Sequence, residues 1–443
     1  MIIYTADRVL TERGIDKEVL LGVEEGCFQF VAVQKGKRTF QKKDCQKVAV
    51  QKEVKEKVKG ETKNELQSGL QSVVQKEIQK GVKKAKKVID FGDKIIVPGF
   101  IDIHTHGGGG YSFGSGQLSD LLSWASFKAS HGVTGFLPTT SAVAVSELLR
   151  ASELIREGME ACENSQQHGA KILGWHLEGP FFRESRKLGA QNRKYVVEKL
   201  SGDYKEILNS SKKDIAYLTL DPLIEDADEI LEFCRENEIV IAAGHSVITH
   251  QEFQAVIEEG YSSVVHTFNG MRGLHHRKPG LAFTACRDEH IFAEIICDGH
   301  HVSLPMLKMF FTLKETEKII LITDAMKMAG NITSKAADFG NNEVTDFGYQ
   351  DIYIDDKGRA LLADGTLAGS TLTMDRALQI AVEKAGLSLE RAIRAISLNP
   401  AKLLGIADRK GSIASGKDAD FVVLNNNLQI ESVYCQGKEV FFA

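Results

Sequence analysis

No apolar run in this chain approaches the roughly 20 residues of a membrane-spanning helix, so an integral helical membrane protein is not the expected class. The opening MIIYTADRVL meets Asp7 and Arg8 before the apolar core of a secretory leader could form, and a cytoplasmic protein is expected. Cysteine is scattered and never in a CxxC spacing: Cys27, Cys45, Cys162, Cys234, Cys286, Cys297 and Cys435. That argues against a disulfide frame and a Cys-ligated zinc, and leaves reduced thiols, most of them core fillers. With 43% hydrophobic and 26% charged residues, composition names a globular protein and no activity. The 443 residues exceed one ordinary core, so a large domain and a smaller one are expected.

The net charge of −5 averages two unlike parts, because residues 34–87 carry 17 Lys and Arg against 6 Asp and Glu. Within that stretch Val50, Val54 and Val58, then Leu66, Leu70 and Val74, recur at i, i+4, which predicts exposed amphipathic helix broken at Gly60. A solvated face is the plain reading of the charge run. An arm for a membrane surface or a partner is its rival.

From residue 94 onward, short β-branched runs alternate with amphipathic helical stretches, the pattern of βα units around a parallel sheet. The strand runs are KIIVPGFIDIH (94–104), TGFLPTT (134–140), KILGWHLEG (171–179), DIAYLTLDP (214–222), IVIAAGHS (239–246), SSVVHTF (262–268), IFAEIICDG (291–299) and KIILITDAM (318–326). Eight such strands predict a TIM-like (β/α)8 barrel. SDLLSWASFKASHG and VSELLRASELIREGMEAC are among the helical stretches between them; DIYIDDKGRALLADG reads as a hairpin and MDRALQIAVEKAG as the closing helix. Both termini read as short strands with turns. The expected organisation is therefore an α/β chain: residues 1–97 and 411–443 form a small β-sandwich domain, with the Lys-rich insert 34–87 in its first part, and 98–410 form the barrel.

Polar residues fall at the C-terminal end of strand after strand: His104 and His106, Glu178, His245, His266, Asp298 with His301, and Asp324. In such barrels that end carries the active site. His104 and His106 are two apart on a strand and share a side; two imidazoles beside a carboxylate suit a borderline divalent metal such as Zn²⁺. Hydrogen-bonded histidines at a strand end are the plain alternative. Glu178 follows apolar residues, and a buried carboxylate needs a metal or a partner such as Arg183 or Arg186. His245 and His266 lie one βα unit apart and could sit side by side, while His176 reads as core. Asp324 could bind metal and carry a proton, or merely cap a helix.

Assembled in order, PGFIDIHTHG, HLEGPF, GHS, HTFNGM with HHRKPG, DGHHV, TDAM, LAGSTLTM and SGKDADFVVL resemble the amidohydrolase superfamily and, within it, the N-acetylglucosamine-6-phosphate deacetylases. The resemblance covers about residues 90–430 and not the insert. It implies that Glu178, His245 and His266 hold one divalent metal (Zn, or Fe, Mn or Co), and that His104 and His106 make a second one possible. It further implies that Asp324 moves the proton of an activated water, that His301 stabilises the oxyanion, and that the substrate is a sugar phosphate. Asn269, the backbone at Gly270 and Arg277 are the implied phosphate contacts, with Arg277 reaching over from the second subunit of a homodimer. Gln191 is an implied sugar contact, and Leu367 in LAGS closes over the acetyl group. His300 is expected outside the site.

Three readings compete. The leading one is a metal-dependent deacetylase of N-acetylglucosamine 6-phosphate, with nucleic acid and membrane excluded as partners. A second keeps the fold and changes the substrate to N-acetylgalactosamine 6-phosphate or a cyclic amide; the latter is disfavoured because DIAYLTLDP ends without a lysine to bridge two metals. The third is a catalytically silent barrel whose basic arm binds a partner.

Overall fold

The computed structural model describes residues 1–12, 14–34, 48–49, 85–163, 169–183, 187–330 and 352–443. They divide into two compact units, Met1–Gly99 with Asp408–Ala443, and Phe100–Ala407.

In the first unit both chain ends build one sheet. Ile2–Thr11, Gly14–Glu24 and Cys27–Gln34 form an antiparallel meander. Ile2–Thr11 also pairs in parallel with Lys87–Asp90 and with Ile95–Pro98, and Ile95–Pro98 hands the sheet on to Phe421–Leu424, Ile430–Cys435 and Lys438–Phe442. Alternation puts Tyr4, Phe28, Phe421 and Tyr434 into one core, where Phe421 stacks on Tyr434 with centroids 4.4 Å apart. The helical expectation for residues 34–87 falls mostly outside the described residues. Within it, Val48–Ala49 is a short strand on Cys27–Gln34.

The second unit is an eight-stranded parallel barrel, nearly closed. Its strands are β1 (Phe100–Thr105), β2 (Val133–Thr140), β3 (Trp175–Glu178), β4 (Ile215–Leu220), β5 (Val240–Ala243), β6 (Tyr261–Val264), β7 (Phe292–Ile296) and β8 (Ile319–Ile322). Two expected runs are divided. KIIVPGFIDIH is two strands, Ile95–Pro98 paired with Phe421–Leu424 and Phe100–Thr105 paired with β2, so the barrel begins only at Phe100. KILGWHLEG breaks at Gly174 (φ 141°) into Lys171–Ile172 and β3, both paired with β2. The helix Val145–Glu163 buries Leu148, Ala151, Leu154, Ile155, Gly158 and Cys162, the three-and-four spacing that lays one stripe on a sheet.

The first and last strands of the barrel, β1 and β8, meet at a seam. The two strands touch through a bridge from Thr105 to Ala325, with Asp324 N donating to His104 O (2.9 Å) and His106 N to Ala325 O (2.7 Å). Behind this seam Asp102 of β1 accepts from Lys128 Nζ (2.8 Å) and Thr323 Oγ1 (2.6 Å), all buried. Next to the seam, Gly107–Gly108 turns back on Tyr111–Ser112; a Cβ on Gly107 would lie 2.5 Å from Lys327 N, so only glycine fits there.

Candidate active site

Six of the side chains expected at the barrel mouth arrive by one of two devices. His104 and His106 use strand alternation within β1 and its end, and Glu178 closes β3. His245, His266 and Asp324 lie two residues beyond β5, β6 and β8, where the backbone enters the left-handed region (φ 49°, 28° and 46°). Non-glycine residues held there cost about 1–3 kcal/mol each, strain that surrounding structure sustains mainly at functional sites.

The result is a buried cluster around one carboxylate. Glu178 Oε1 lies 3.0 Å from His266 Nε2, 3.1 Å from His245 Nε2 and 3.3 Å from His104 Nε2, while Oε2 lies 3.3 Å from His106 Nε2. Asp324 Oδ1 is 3.3 Å from His106 Nε2 and 3.7 Å from His104 Nε2. Among the described residues no arginine pairs with Glu178: Arg183 donates instead to Leu223 O, and Arg186 lies outside them.

Outer hydrogen bonds assign the imidazole protons. His245 Nδ1 faces Lys187 O (2.9 Å), which can only accept, so that nitrogen carries the proton and the Nε2 lone pair of the neutral ring points at Glu178. His245 Nε2 and His266 Nε2 are also only 3.1 Å apart. Imidazole nitrogens and a carboxylate oxygen brought this close call for a cation between them. Glu178–His245–His266 and His104–His106–Glu178 each present three such ligand atoms, all buried, with the nitrogen and oxygen donors of a divalent metal site. Glu178 belongs to both groups.

Protons answer the same demand. Burial opposes a charge on His104, yet Glu178, Glu294 and Asp324 outweigh it and hold its pKa well above the ordinary value; His106, also buried, is pushed up to about 9 by Asp324 and Glu178. A cation binding among these groups displaces such protons. Burial alone would raise the pKa of Asp324, but the charges of His104 and His106 hold it low, so it is a carboxylate. His301 Nδ1 meets Asp298 Oδ2 at 2.7 Å, and that carboxylate raises the His301 pKa against its burial. His176, its pKa held far down by burial first and by His104 second, stays neutral with Nε2 2.8 Å from Thr219 Oγ1.

A cavity of about 180 Å³ opens over the cluster, lined by Glu178, His245, His266, His301 and Asp324. Asn269, Gly270, Gln191 and Leu367 complete the part of its wall that the sequence anticipated. Gln191 is tied down: its Oε1 accepts from Ala142 N (2.7 Å) and its Nε2 donates to Glu178 Oε2 (2.8 Å). Arg277 does not line the cavity; it is exposed, with Nη1 2.6 Å from His276 Nε2. His300 is exposed too. Sequence reasoning passed over Glu294 and Tyr217, whose side chains support His104 from inside the barrel; the available signal was an acid in the middle of the apolar run IFAEIIC.

A parallel barrel with histidines and acids converging at its C-terminal mouth defines a metal-dependent hydrolase of the amidohydrolase type, and the chain belongs to the amidohydrolase family, which matches residues 95–440. Among curated proteins it is 33% identical to the N-acetylgalactosamine-6-phosphate deacetylase of Escherichia coli O157:H7, over 79% of this chain and 88% of that one. It is equally 33% identical to the N-acetylglucosamine-6-phosphate deacetylase of Bacillus subtilis, over 81% and 88%. A variant of N-acetyl-D-glucosamine-6-phosphate deacetylase from Mycobacterium smegmatis, solved in complex with N-acetyl-D-glucosamine-6-phosphate, matches the fold with TM-score 0.78 at 26% identity, covering 99% of both chains. The Thermotoga maritima N-acetylglucosamine-6-phosphate deacetylase gives TM-score 0.76 at 27% identity over the full length of both.

Proposed function

We propose that this chain hydrolyses the acetamide of N-acetyl-D-glucosamine 6-phosphate to D-glucosamine 6-phosphate and acetate, a step in amino-sugar catabolism. One observation carries the reading: a buried Glu178–His245–His266 group opens on the same cavity as Asp324 and His301, in a chain similar over 81% of its length to a named deacetylase. Glu178, His245 and His266 would hold one divalent ion, and His104 and His106, sharing Glu178 and Asp324, a second; Zn²⁺ or Fe, Mn or Co fits these donors. A cation there supplies a more acidic water and polarises the amide carbonyl.

The chain's own groups handle the protons. Asp324 takes the proton of the attacking water as its oxygen bonds to the acetyl carbon. Protonated His301, oriented by Asp298, donates from Nε2 to the oxyanion that develops. Asp324 then gives its proton to the amine as the C–N bond breaks. Leu367 closes over the acetyl group and Gln191 holds Glu178 while facing the sugar. The backbone and side-chain amides at Asn269 and Gly270 receive the phosphate, with the guanidinium of Arg277 from the second copy in a homodimer. A sugar phosphate is too polar to cross a bilayer unaided, which supports a cytoplasmic enzyme; among the described residues no helix is long and apolar enough to span a membrane.

The equal identity to the E. coli relative favours a second substrate, N-acetylgalactosamine 6-phosphate. Acetate release from each epimer by Zn²⁺- or Mn²⁺-loaded protein is the deciding measurement. Turnover of the gluco epimer is expected, falling about 10²–10⁴-fold in kcat in Asp324→Asn, the usual worth of a general acid–base group. No acetate from either epimer with Zn²⁺, Mn²⁺ or Fe²⁺ would refute the assignment.

A further inference from the structure

Glu294 is an acid in the interior of β7, fully buried and not part of the cavity wall. A carboxylate in that position is costly unless every oxygen is engaged. Both are. Oε2 lies 2.9 Å from His104 Nδ1 and accepts from His266 N at 3.2 Å, and Oε1 accepts from the Tyr217 hydroxyl at 2.8 Å. Burial, and then the charge of Glu294 itself, keep the Tyr217 phenol protonated and therefore the donor. Glu294 thus reaches from β7 to β1, β4 and the end of β6, across the inside of the barrel.

The consequence falls on His104. A carboxylate only accepts, so the ring keeps its proton on Nδ1 and the neutral form turns the Nε2 lone pair outward. That nitrogen is buried, has no hydrogen-bond partner among the described residues, and lies 3.3 Å from Glu178 Oε1. His176 packs edge-on against the ring at 4.5 Å and limits its rotation.

We propose that Glu294, held in place by Tyr217, is the positioning residue that commits His104 to bind metal through Nε2, and thereby decides whether a second divalent cation joins the one at Glu178, His245 and His266. The inference rests on the metal-dependent reading of the site. Glu294 contributes orientation through its hydrogen bond and basicity through its charge, the two means by which an outer carboxylate strengthens a histidine ligand. Tyr217 contributes orientation alone.

The test is metal stoichiometry and affinity, independent of turnover. Chelator-stripped protein is titrated with Zn²⁺ and the ions per chain counted, with Co²⁺ absorbance as a second reading. The parent is expected to bind two ions. Glu294→Gln should retain the first and weaken the second by about 10–100-fold, the usual effect of losing such a partner. Tyr217→Phe should weaken the second ion by a smaller factor, and Glu294→Gln added to His104→Gln should change nothing further. Two ions in Glu294→Gln with affinities within twofold of the parent would overturn the inference, as would equal loss of both ions, the mark of a merely structural role. A parent that binds one ion overturns it while leaving the metal-dependent reading intact; a parent that binds none overturns both. Should Glu294→Gln fail to fold, Tyr217→Phe decides, and unchanged second-site affinity there is equally fatal.

Discussion

His301 shows how much of this site depends on one neighbour. Its ring is buried, which opposes protonation, and the Asp298 carboxylate reverses that and raises its pKa. Because Nδ1 is bonded to Asp298, only the protonated ring can donate from Nε2, so that donor is present below the His301 pKa and lost as pH rises through it. Asp298→Asn removes the carboxylate, lowers that pKa, and should move the basic limb of the kcat/KM profile to lower pH. An unmoved limb would exclude a protonated His301 from the reaction. The pairing was half legible: Asp298 and His301 stood out at a strand end, but their 2.7 Å contact depends on Asp298 also accepting from the backbone N–H groups of His300 and His301. Gln191 was legible as a cavity residue and not as the partner of Glu178, because that bond needs a loop folded back over β3.

At the level of elements, the strands deliver the ligands and the seam between β8 and β1 sets how they face one another. The seam has little ladder, and Asp102, Thr323 and Lys128 close it: Asp102 is two residues from His104, and Thr323 adjoins Asp324. Burial lowers the Lys128 pKa, and Asp102 opposes that effect. Lys128→Met leaves Asp102 buried and short of its cation, for which about 3–5 kcal/mol of destabilisation is expected. Urea unfolding measures it; a loss below about 1 kcal/mol would mean that the pair does not hold the seam. In the sequence Lys128 sits within the helical stretch SDLLSWASFKASHG, and no reading of the sequence singled it out. Its burial follows only from the tertiary contacts of its ammonium with Asp102 of β1 and Thr323 just beyond β8.

At the scale of the whole molecule, the groups proposed for catalysis all lie in the unit Phe100–Ala407, and Arg277 stands outside the cavity of its own chain. If Arg277 serves a neighbouring copy, neither Arg277→Ala nor Asp324→Asn alone retains full turnover. A mixed dimer of the two then regains one complete site, with activity approaching a quarter of the parent after random reassortment of equal amounts. Mixing that restores nothing, or a monomer by sedimentation, would remove Arg277 from the phosphate site. By itself the sequence determined the eight-strand pattern and the positions of His104, His106, Glu178, His245, His266 and Asp324, because strand periodicity and polar residues ending apolar runs are local properties written in the chain. Tertiary structure alone decided that one carboxylate, Glu178, belongs to both ligand groups, that left-handed backbone turns aim three of the side chains, and that Glu294 stands behind His104. Those contacts join residues 67 to 190 positions apart, and only closure of the sheet into a barrel brings them within hydrogen-bond reach.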